Sequence, residues 1–201
     1  MPTLSHPLPR SFYVRPTLDV ARELVGKVLV HESLSGLTAG IVVEVEAYIG
    51  EDDPACHAST GFTRRNAPLY GPPGRAYVYL NYGVHHLVNV VTEREGLPAA
   101  VLLRAVEPLH GLDLMRRRRN SSAGPINDLC RGPGKLSQAF GISISQNRED
   151  FTGQRLYISD YGLIRQVTWT SRIGIRVGFS HRWRCYASNS LAVSLLLRAG
   201  L

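Results

Sequence analysis

The sequence predicts an α+β fold, with a mainly antiparallel β-sheet in a single domain. Strand-like segments outnumber helical ones, and several follow one another across short turns, as the strands of hairpins do. The length of 201 residues is typical of one domain, which can bury a large core. A hydrophobic fraction of 44% and a charged fraction of 19% indicate a globular chain rather than a disordered one.

The first half of the chain is predicted to contain one helix and two hairpins. Proline residues and weak periodicity over residues 1–15 predict a mobile arm. Apolar spacing over residues 17–25 predicts a helix, with Thr17 as its N-cap and Gly26 ending it in a left-handed conformation. Four segments with strand composition are predicted to pair as two hairpins: 27–32 with 39–48, and 76–81 with 85–92.

A long irregular loop separates the two predicted hairpins. Residues 50–75 contain eight glycines and prolines that interrupt any regular pattern. A loop of this length inside a compact domain usually serves function. The remaining predicted elements are a strand over 100–106 ended by Pro108, helices over 109–119 and 135–140, and short strands over 156–159 and 173–179.

The charge distribution favours a nucleic-acid partner. The net charge is +7, and 21 of the 23 basic residues are arginines. Arginine suits phosphate because its planar fork donates two parallel hydrogen bonds. We expect Arg64, Arg65 and Lys135 to contact the backbone of a nucleic acid. The alternative is that arginine replaces lysine for genomic reasons and the positive charge only keeps the protein soluble.

Cysteine and histidine usage argues against disulfides and metals, and the lengths of the apolar runs argue against a membrane location. Cys56, Cys130 and Cys185 cannot form a disulfide framework or supply four cluster ligands. Neither a CxxC nor an HExxH pattern occurs, so we expect no metal and no cofactor. No apolar run reaches the roughly 18 residues of a membrane span, and no signal pattern opens the chain. A soluble protein of the reducing cytoplasm is predicted.

Two carboxylates and a phenol share one face of a predicted strand. Glu44, Glu46 and Tyr48 occupy alternate positions of segment 39–48, and side chains alternate across a strand. Burying them costs free energy unless they are hydrogen-bonded. The face is therefore either the solvated side of a half-exposed sheet, or a site in which one glutamate holds and polarises a water molecule.

A partly buried arginine is predicted in a later strand. Arg104 lies in an apolar strand segment, so it needs an acceptor, either Glu46 or a phosphate. The acidic residues 51–53 are interpreted as plain loop charges without a role.

Aromatic residues cluster in and around the second predicted hairpin. Tyr79 lies on its first strand and Tyr82 at its tip, where the aromatic ring either folds back or enters a base stack as a wedge. In the second case Tyr48 and Tyr79 would stack on an extruded base, whose edge Asn89 could read. His57, in the long loop, could bind a ligand atom or have a purely structural role.

Taken in order, these motifs resemble the alkyladenine (3-methyladenine) DNA glycosylase family. The resemblance covers residues 12–141 and, more faintly, 172–174. The matching residues are Val43-Glu44-Val45-Glu46-Ala47-Tyr48, His57, Arg65-Asn66, Tyr77-Val78-Tyr79 with Tyr82-Gly83, Asn89, Val101-Leu102-Leu103-Arg104-Ala105 with Glu107-Pro108, and Gly132-Pro133-Gly134-Lys135-Leu136.

The resemblance implies a fold and an activity. The expected fold is a single domain with a curved antiparallel sheet and flanking helices, similar to the C-terminal domain of methionyl-tRNA formyltransferase. The expected activity is monofunctional excision of damaged purines from double-stranded DNA without a metal, on 3-methyladenine, 7-methylguanine and, as further candidates, hypoxanthine and ethenoadenine. A monomer in the bacterial cytosol or nucleoid is expected.

The resemblance also assigns roles, residue by residue. Glu46 matches the general base and Arg104 the arginine beside it. Tyr82 matches the residue that fills the gap in the duplex. The remaining matches form the pocket of the flipped base: Tyr48, His57 and Tyr79 around its faces, and Asn89 against the exocyclic amine of guanine. One departure is Cys185, which stands where the family often has an aromatic residue in a Trp-Arg-aromatic-aromatic run.

Two other function classes remain open on the residues alone. A nucleic-acid-binding module without catalysis would explain the basic charge and the tyrosines. A carbohydrate glycosidase would use Glu44 and Glu46, although carboxylates on one strand face lie on the same side of a sugar rather than straddling its bond. Only two lysines, Lys27 and Lys135, are present, which favours simple hydrolysis over the Schiff-base chemistry of strand-cleaving glycosylases.

Overall fold

The computed structural model describes residues 6–121 and 123–194, and it confirms the α+β prediction. Its antiparallel sheet is curled into a half-barrel and has eight strands. The strands are β1 (Val28–Ser33), β2 (Gly36–Ile49), β3 (Ala76–Asn81), β4 (His85–Val91), β5 (Ala99–His110), β6 (Leu156–Ser159), β7 (Val167–Thr170) and β8 (Arg184–Ala187). The α-helices are α1 (Arg10–Tyr13), α2 (Thr17–Leu24), α3 (Leu112–Arg118) and α4 (Pro133–Phe140).

Strand β2 is the centre of the sheet. The main order is β3-β4-β5-β2-β1-β6, and β8 pairs with both β2 and β7. One edge of β2 is therefore occupied by β5, and the other by β1 over its first half and β8 over its second. Register shifts around Glu44, where β2 pairs with β5, mark an irregularity of the kind that bends a strand. The apolar face of β2 packs in the main core, as the alternating pattern predicted.

The start of the chain is not a mobile arm, at least from residue 7 onward. The Leu8 amide donates to the Ile158 carbonyl at 2.8 Å, and Arg10 pairs with Asp150 at 2.6 Å. Tyr13 is fully buried in the main core. The periodicity missed this segment because a single turn of helix anchored by one aromatic ring is too short to repeat. Residues 1–5 lie outside the described residues.

Helix α2 forms where predicted, but Thr17 does not cap it. The N-cap is Pro16, and Thr17 is instead the first helical residue. Its hydroxyl donates to a Glu93 carboxylate oxygen at 2.8 Å, so it ties the helix to the end of β4. Gly26 has a φ of 100° just after the helix, and a Cβ there would lie 2.6 Å from the Leu163 carbonyl oxygen. Glycine is required at that turn.

Strand β5 continues past Pro108, which the sequence predicted as its end. Pro108 lies opposite Gly40, at a register shift in the β2–β5 ladder. Proline is tolerated at such irregularities because the regular ladder hydrogen bond is already missing. Gly40 fits there because a Cβ would come within 2.8 Å of the Glu107 carbonyl oxygen. As a consequence α3 begins only at Leu112.

The C-terminal third differs most from the prediction. Residues 173–179 do not form the predicted strand but a sequence of turns, in which Gly174 and Gly178 both have positive φ. The hairpin of β7 and β8, which was not predicted, forms around this loop and attaches to β2. Within the described residues, no helix has the length and apolar character needed to cross a membrane.

Candidate active site

A cavity of about 290 Å³ opens where β2, β3 and β4 meet two loops. Its walls include every residue predicted for the base pocket and the wedge: Tyr48, His57, Tyr79, Tyr82 and Asn89. The first loop contributes residues 54–57, and the second contributes residues 174–177, from the segment that was wrongly predicted as a strand. The structure therefore brings together, at one place, side chains from well-separated parts of the chain.

The aromatic side chains of the cavity wall are held together by a hydrogen bond and a ring contact. The His57 Nδ1 and the Tyr77 hydroxyl lie 2.7 Å apart, and the rings of His57 and Tyr79 lie 4.5 Å apart at 65°. Burial and the nearby Arg65 lower the pKa of His57, so its ring is neutral at neutral pH. Burial raises the pKa of Tyr79 to about 12, so its phenol stays protonated.

Two asparagines fix the backbone around this wall. The Asn89 Nδ2 donates to the Tyr77 carbonyl at 2.9 Å, which sets the orientation of the amide across the β3–β4 pair. The Asn66 Nδ2 donates to the carbonyls of His57 and Gly61, at 2.9 and 2.8 Å, and so closes the loop that presents His57. A buried side-chain amide can satisfy several backbone groups at once, which gives an irregular loop one defined shape.

Glu46 is fully buried and does not itself line the cavity, which it contacts through Tyr48. Its carboxylate accepts three hydrogen bonds: from the Ile173 amide at 2.7 Å, the Tyr48 hydroxyl at 2.9 Å and the Arg104 Nη1 at 3.2 Å. Burial and the Glu46 charge raise the pKa of Tyr48 well above its usual value, so the phenol donates. The shared strand face predicted for Glu46 and Tyr48 is confirmed. Of the two acceptors left open for Arg104, the structure shows Glu46.

Glu44 shares Arg104 with Glu46, but its other hydrogen-bond donors are different. It accepts from the Arg104 Nε at 3.0 Å, the Arg184 Nε at 2.6 Å, and the amide and hydroxyl of Ser194 at 2.6 and 2.7 Å. Arg104 thus bridges the two glutamates. The alternative of a solvated sheet face is excluded for Glu44 and Glu46, since both are fully buried. Sequence reasoning missed Arg184 and Ser194.

Asp53 is not a plain loop charge, contrary to the sequence interpretation. It forms a two-pronged ion pair with Arg172, at 2.6 and 2.7 Å, and both side chains are fully buried. The guanidinium of Arg172 lies over the Tyr48 ring, with its carbon 4.6 Å from the ring centroid. The weak match at residues 172–174 was the one sequence signal that pointed to this region. Glu51, also predicted to have no role, accepts a hydrogen bond from the Tyr70 hydroxyl at 2.7 Å.

The predicted backbone-contacting residues are exposed but are not all at the cavity. Arg65 lies beside it, with its guanidinium carbon 5.9 Å from the Tyr79 ring centroid. Arg64 is its exposed neighbour in the chain. Lys135, in the first turn of α4, lines a separate basic depression together with Arg119. The structure does not bring Lys135 into the cavity wall.

Tyr82 stands at the tip of the β3–β4 hairpin. The turn is closed by the Val84 amide, which donates to the Asn81 carbonyl at 3.0 Å, and Tyr82 itself has a φ of 48°. Its side chain is 79% exposed, and the neighbouring Val84 is exposed as well. The ring does not fold back on the body of the protein. Such an apolar tip projecting beside a cavity has the form of a wedge.

The described residues provide little for a metal. No three histidine, cysteine, aspartate or glutamate side chains are grouped as metal ligands in residues 6–121 and 123–194. All three cysteines are free and buried. Cys185, which departs from the family pattern, is fully buried in the main core, and burial raises the pKa of its thiol to about 12.

Comparison with known proteins fits this geometry. The model of the family described as "Methylpurine-DNA glycosylase (MPG)" matches residues 11–191. A protein of Methanocella arvoryzae named "Putative 3-methyladenine DNA glycosylase" is 46% identical over 191 residues, covering 93% of this chain and 95% of its own length. A protein of Salinibacter ruber with the same name is 48% identical, covering 94% and 96%. The chain therefore belongs to the methylpurine-DNA glycosylase family and is a DNA N-glycosylase, a hydrolase of N-glycosyl bonds.

Proposed function

We propose that this protein removes alkylated purines from duplex DNA by simple hydrolysis, with a water molecule activated by Glu46, and leaves an abasic site. The observation that carries the proposal is the juxtaposition of a buried carboxylate with an aromatic cavity, joined by the 2.9 Å hydrogen bond from Tyr48 to Glu46. The cavity volume of about 290 Å³ is at the lower end of the range for small-molecule sites, as one base requires.

The cavity walls support capture of a base that has left the helix. A base inside a duplex must be extruded before its glycosidic bond can be reached, which costs a few kcal/mol of unstacking. Tyr48, His57 and Tyr79 provide aromatic surface on which a planar purine can stack. Because Asn89 is fixed by its bond to Tyr77, we assign it the role of a rigid wall that disfavours the exocyclic amine of guanine, so that among guanines only the cationic 7-methylguanine, whose bond is labile, is released.

The charges around Glu46 support the chemical step. Positive charge develops at the sugar as the base leaves, and a nearby carboxylate stabilises it while aligning water for attack. Arg104 and the Ile173 amide hold that carboxylate in one orientation. N3- or N7-alkylated purines are cationic and leave without further protonation. Neutral purines such as hypoxanthine and ethenoadenine also need an acid, and Tyr79, with a pKa of about 12, is a weak one. We therefore propose cationic purines as the main substrates.

The structure also weighs against the glycosidase alternative. Such an enzyme needs two carboxyl groups on opposite sides of one bond. Glu44 accepts from Arg104, Arg184 and Ser194, and none of these three residues lines the cavity. Glu46, by contrast, is bonded to Tyr48 of the cavity wall, so the two carboxylates are not placed on opposite sides of one bond. A binding module without catalysis is disfavoured because the chain belongs to a family of glycosylases.

The direct test is a base-release assay on duplexes that each contain one damaged base. We expect release of 3-methyladenine and 7-methylguanine, weaker release of hypoxanthine and ethenoadenine, and the same rates with and without a chelator. Borohydride should trap no covalent protein–DNA adduct, because simple hydrolysis forms no Schiff base. A trapped adduct would overturn simple hydrolysis, and the absence of any base release would overturn the proposed activity.

The wedge role of Tyr82 gives a separate prediction. Tyr82→Ala should lower base release from duplex DNA by roughly tenfold, about the value of one base–aromatic contact of 1–3 kcal/mol, and have little effect on single strands. The reason is that the exposed ring stabilises the gap left in the stack, which single strands lack. Leu34→Ala, at an exposed turn far along the sheet, is the control. Equal losses on duplex and single-stranded substrates would refute the wedge.

A further inference from the structure

We propose that the Asp53–Arg172 ion pair positions Glu46 and Tyr48 for base removal, in addition to stabilising the fold. This inference rests on the proposed function. No substrate contact is predicted for Asp53 or Arg172, and neither residue lines the cavity. Their effect on the reaction would therefore be exerted through the residues that they hold.

Several directed hydrogen bonds fix the position of the Arg172 guanidinium against Asp53. The guanidinium of Arg172 donates two bonds to Asp53, at 2.6 and 2.7 Å, and a third to the Ala47 carbonyl at 3.0 Å. Asp53 also accepts from the amides of Ile49 and Ala55. Because the arginine fork is planar and both partners are fixed, the guanidinium has one orientation.

The Asp53–Arg172 pair joins two loops that both contribute to the cavity wall. Asp53 directly precedes the 54–57 wall, and Arg172 is followed after one residue by the 174–177 wall. The two partners are 119 positions apart in the chain. Neither loop is held by a regular strand at this point, so the ion pair is a direct link between them.

Two contacts carry this placement to the reacting groups. The amide of Ile173, next to Arg172 in the chain, donates to the Glu46 Oε1 at 2.7 Å. The Arg172 guanidinium lies between two rings, with its carbon 4.6 Å from the Tyr48 centroid and 5.2 Å from that of Trp183. A displacement of Arg172 would thus shift two things together: the Ile173 amide that donates to Glu46, and the guanidinium that packs on the Tyr48 ring. A misplacement of 1 Å can cost about 100-fold in rate.

The test compares the chemical step with binding in two conservative variants. Asp53→Asn keeps the shape but removes the charge, and Arg172→Lys keeps the charge but removes the fork. We expect each to lower the single-turnover rate of 7-methylguanine release from duplex DNA by about 10- to 100-fold. Affinity for a duplex with a tetrahydrofuran abasic analogue should change by less than about threefold, because the exposed residues proposed to contact DNA, Arg64 and Arg65, are untouched.

A second ion pair, which is more exposed than the first, serves as the control. Asp150→Asn breaks the Arg10–Asp150 pair, which also links distant parts of the chain but does not line the cavity. It should lower thermal stability without changing the single-turnover rate of the folded protein. The folded fraction of every variant is measured by circular dichroism at the assay temperature, so that rates refer to folded protein.

The outcomes separate this proposal from the proposed function. Slower base release by both variants with unchanged binding supports the positioning role. An unchanged rate per folded molecule, or a loss of rate that only follows the loss of binding or of folded protein, overturns it while leaving the glycosylase function intact. If the unmodified protein releases no alkylpurine in the same assay, both proposals fail together.

Discussion

Replacement of Glu46 by glutamine is expected to abolish base release while leaving the protein able to bind duplex DNA. Glutamine keeps the shape of the side chain but cannot accept a proton from water, and the loss of a general base typically costs 10²- to 10⁴-fold in rate. The variant retains Tyr48, His57 and Tyr79 around the cavity, so capture of a flipped base should continue.

The measurement for Glu46→Gln is a single-turnover base-release assay together with binding to an abasic-analogue duplex. Glu107→Gln is a suitable control, because Glu107 is also a strand glutamate paired with an arginine, Arg165, at 2.8 Å. It should retain full activity. Full activity of Glu46→Gln would show that Glu46 is not the general base, even though it lies next to the cavity wall.

Replacement of Glu44 by glutamine is expected to have the largest effect on stability. Glu44 is the fully buried partner of Arg104 and Arg184, and it accepts two further bonds from Ser194. Removing one partner of a buried ion pair typically costs about 3–5 kcal/mol, because a charge is left without compensation in the interior. Arg104 keeps Glu46 as a partner, so we expect the lower end of that range, about 3 kcal/mol.

Urea denaturation followed by the fluorescence of Trp169 and Trp183 measures this effect on the free energy of unfolding. Asp128→Asn is the control, since Asp128 pairs with Arg131 but its side chain is 47% exposed. An exposed pair of this kind is worth about 1 kcal/mol or less. A loss in Glu44→Gln no greater than in Asp128→Asn would show that the buried network contributes little to folding stability.

The parts of the site that could be predicted are those encoded locally. Alternation along β2 placed Glu44, Glu46 and Tyr48 on one face because the side-chain period of a strand is two residues. The composition around Tyr82 indicated a hairpin tip for the same kind of reason. Both inferences needed only neighbouring residues, and the structure confirms both placements.

The parts that could not be predicted depend on contacts between distant segments. Nothing near Asp53 indicates that Arg172 is its partner, and an aspartate in a polar loop looks like a surface charge. The predicted strand over residues 173–179 is wrong for a different reason. Gly174 and Gly178 adopt positive φ at turns, and the apolar residues between them line or flank the cavity instead of a sheet face.

The bonds around Glu44 have a consequence for the order of folding. Glu44 and Ser194 are 150 positions apart, whereas the β3–β4 hairpin closes within a few residues of Tyr82. Contacts between residues far apart in sequence cost more loop-closure entropy than local contacts do, and proteins dominated by such contacts fold more slowly. We therefore expect a chain emerging from the ribosome to form the β3–β4 hairpin early, and to complete the network around Glu44 only after β8 has joined β2.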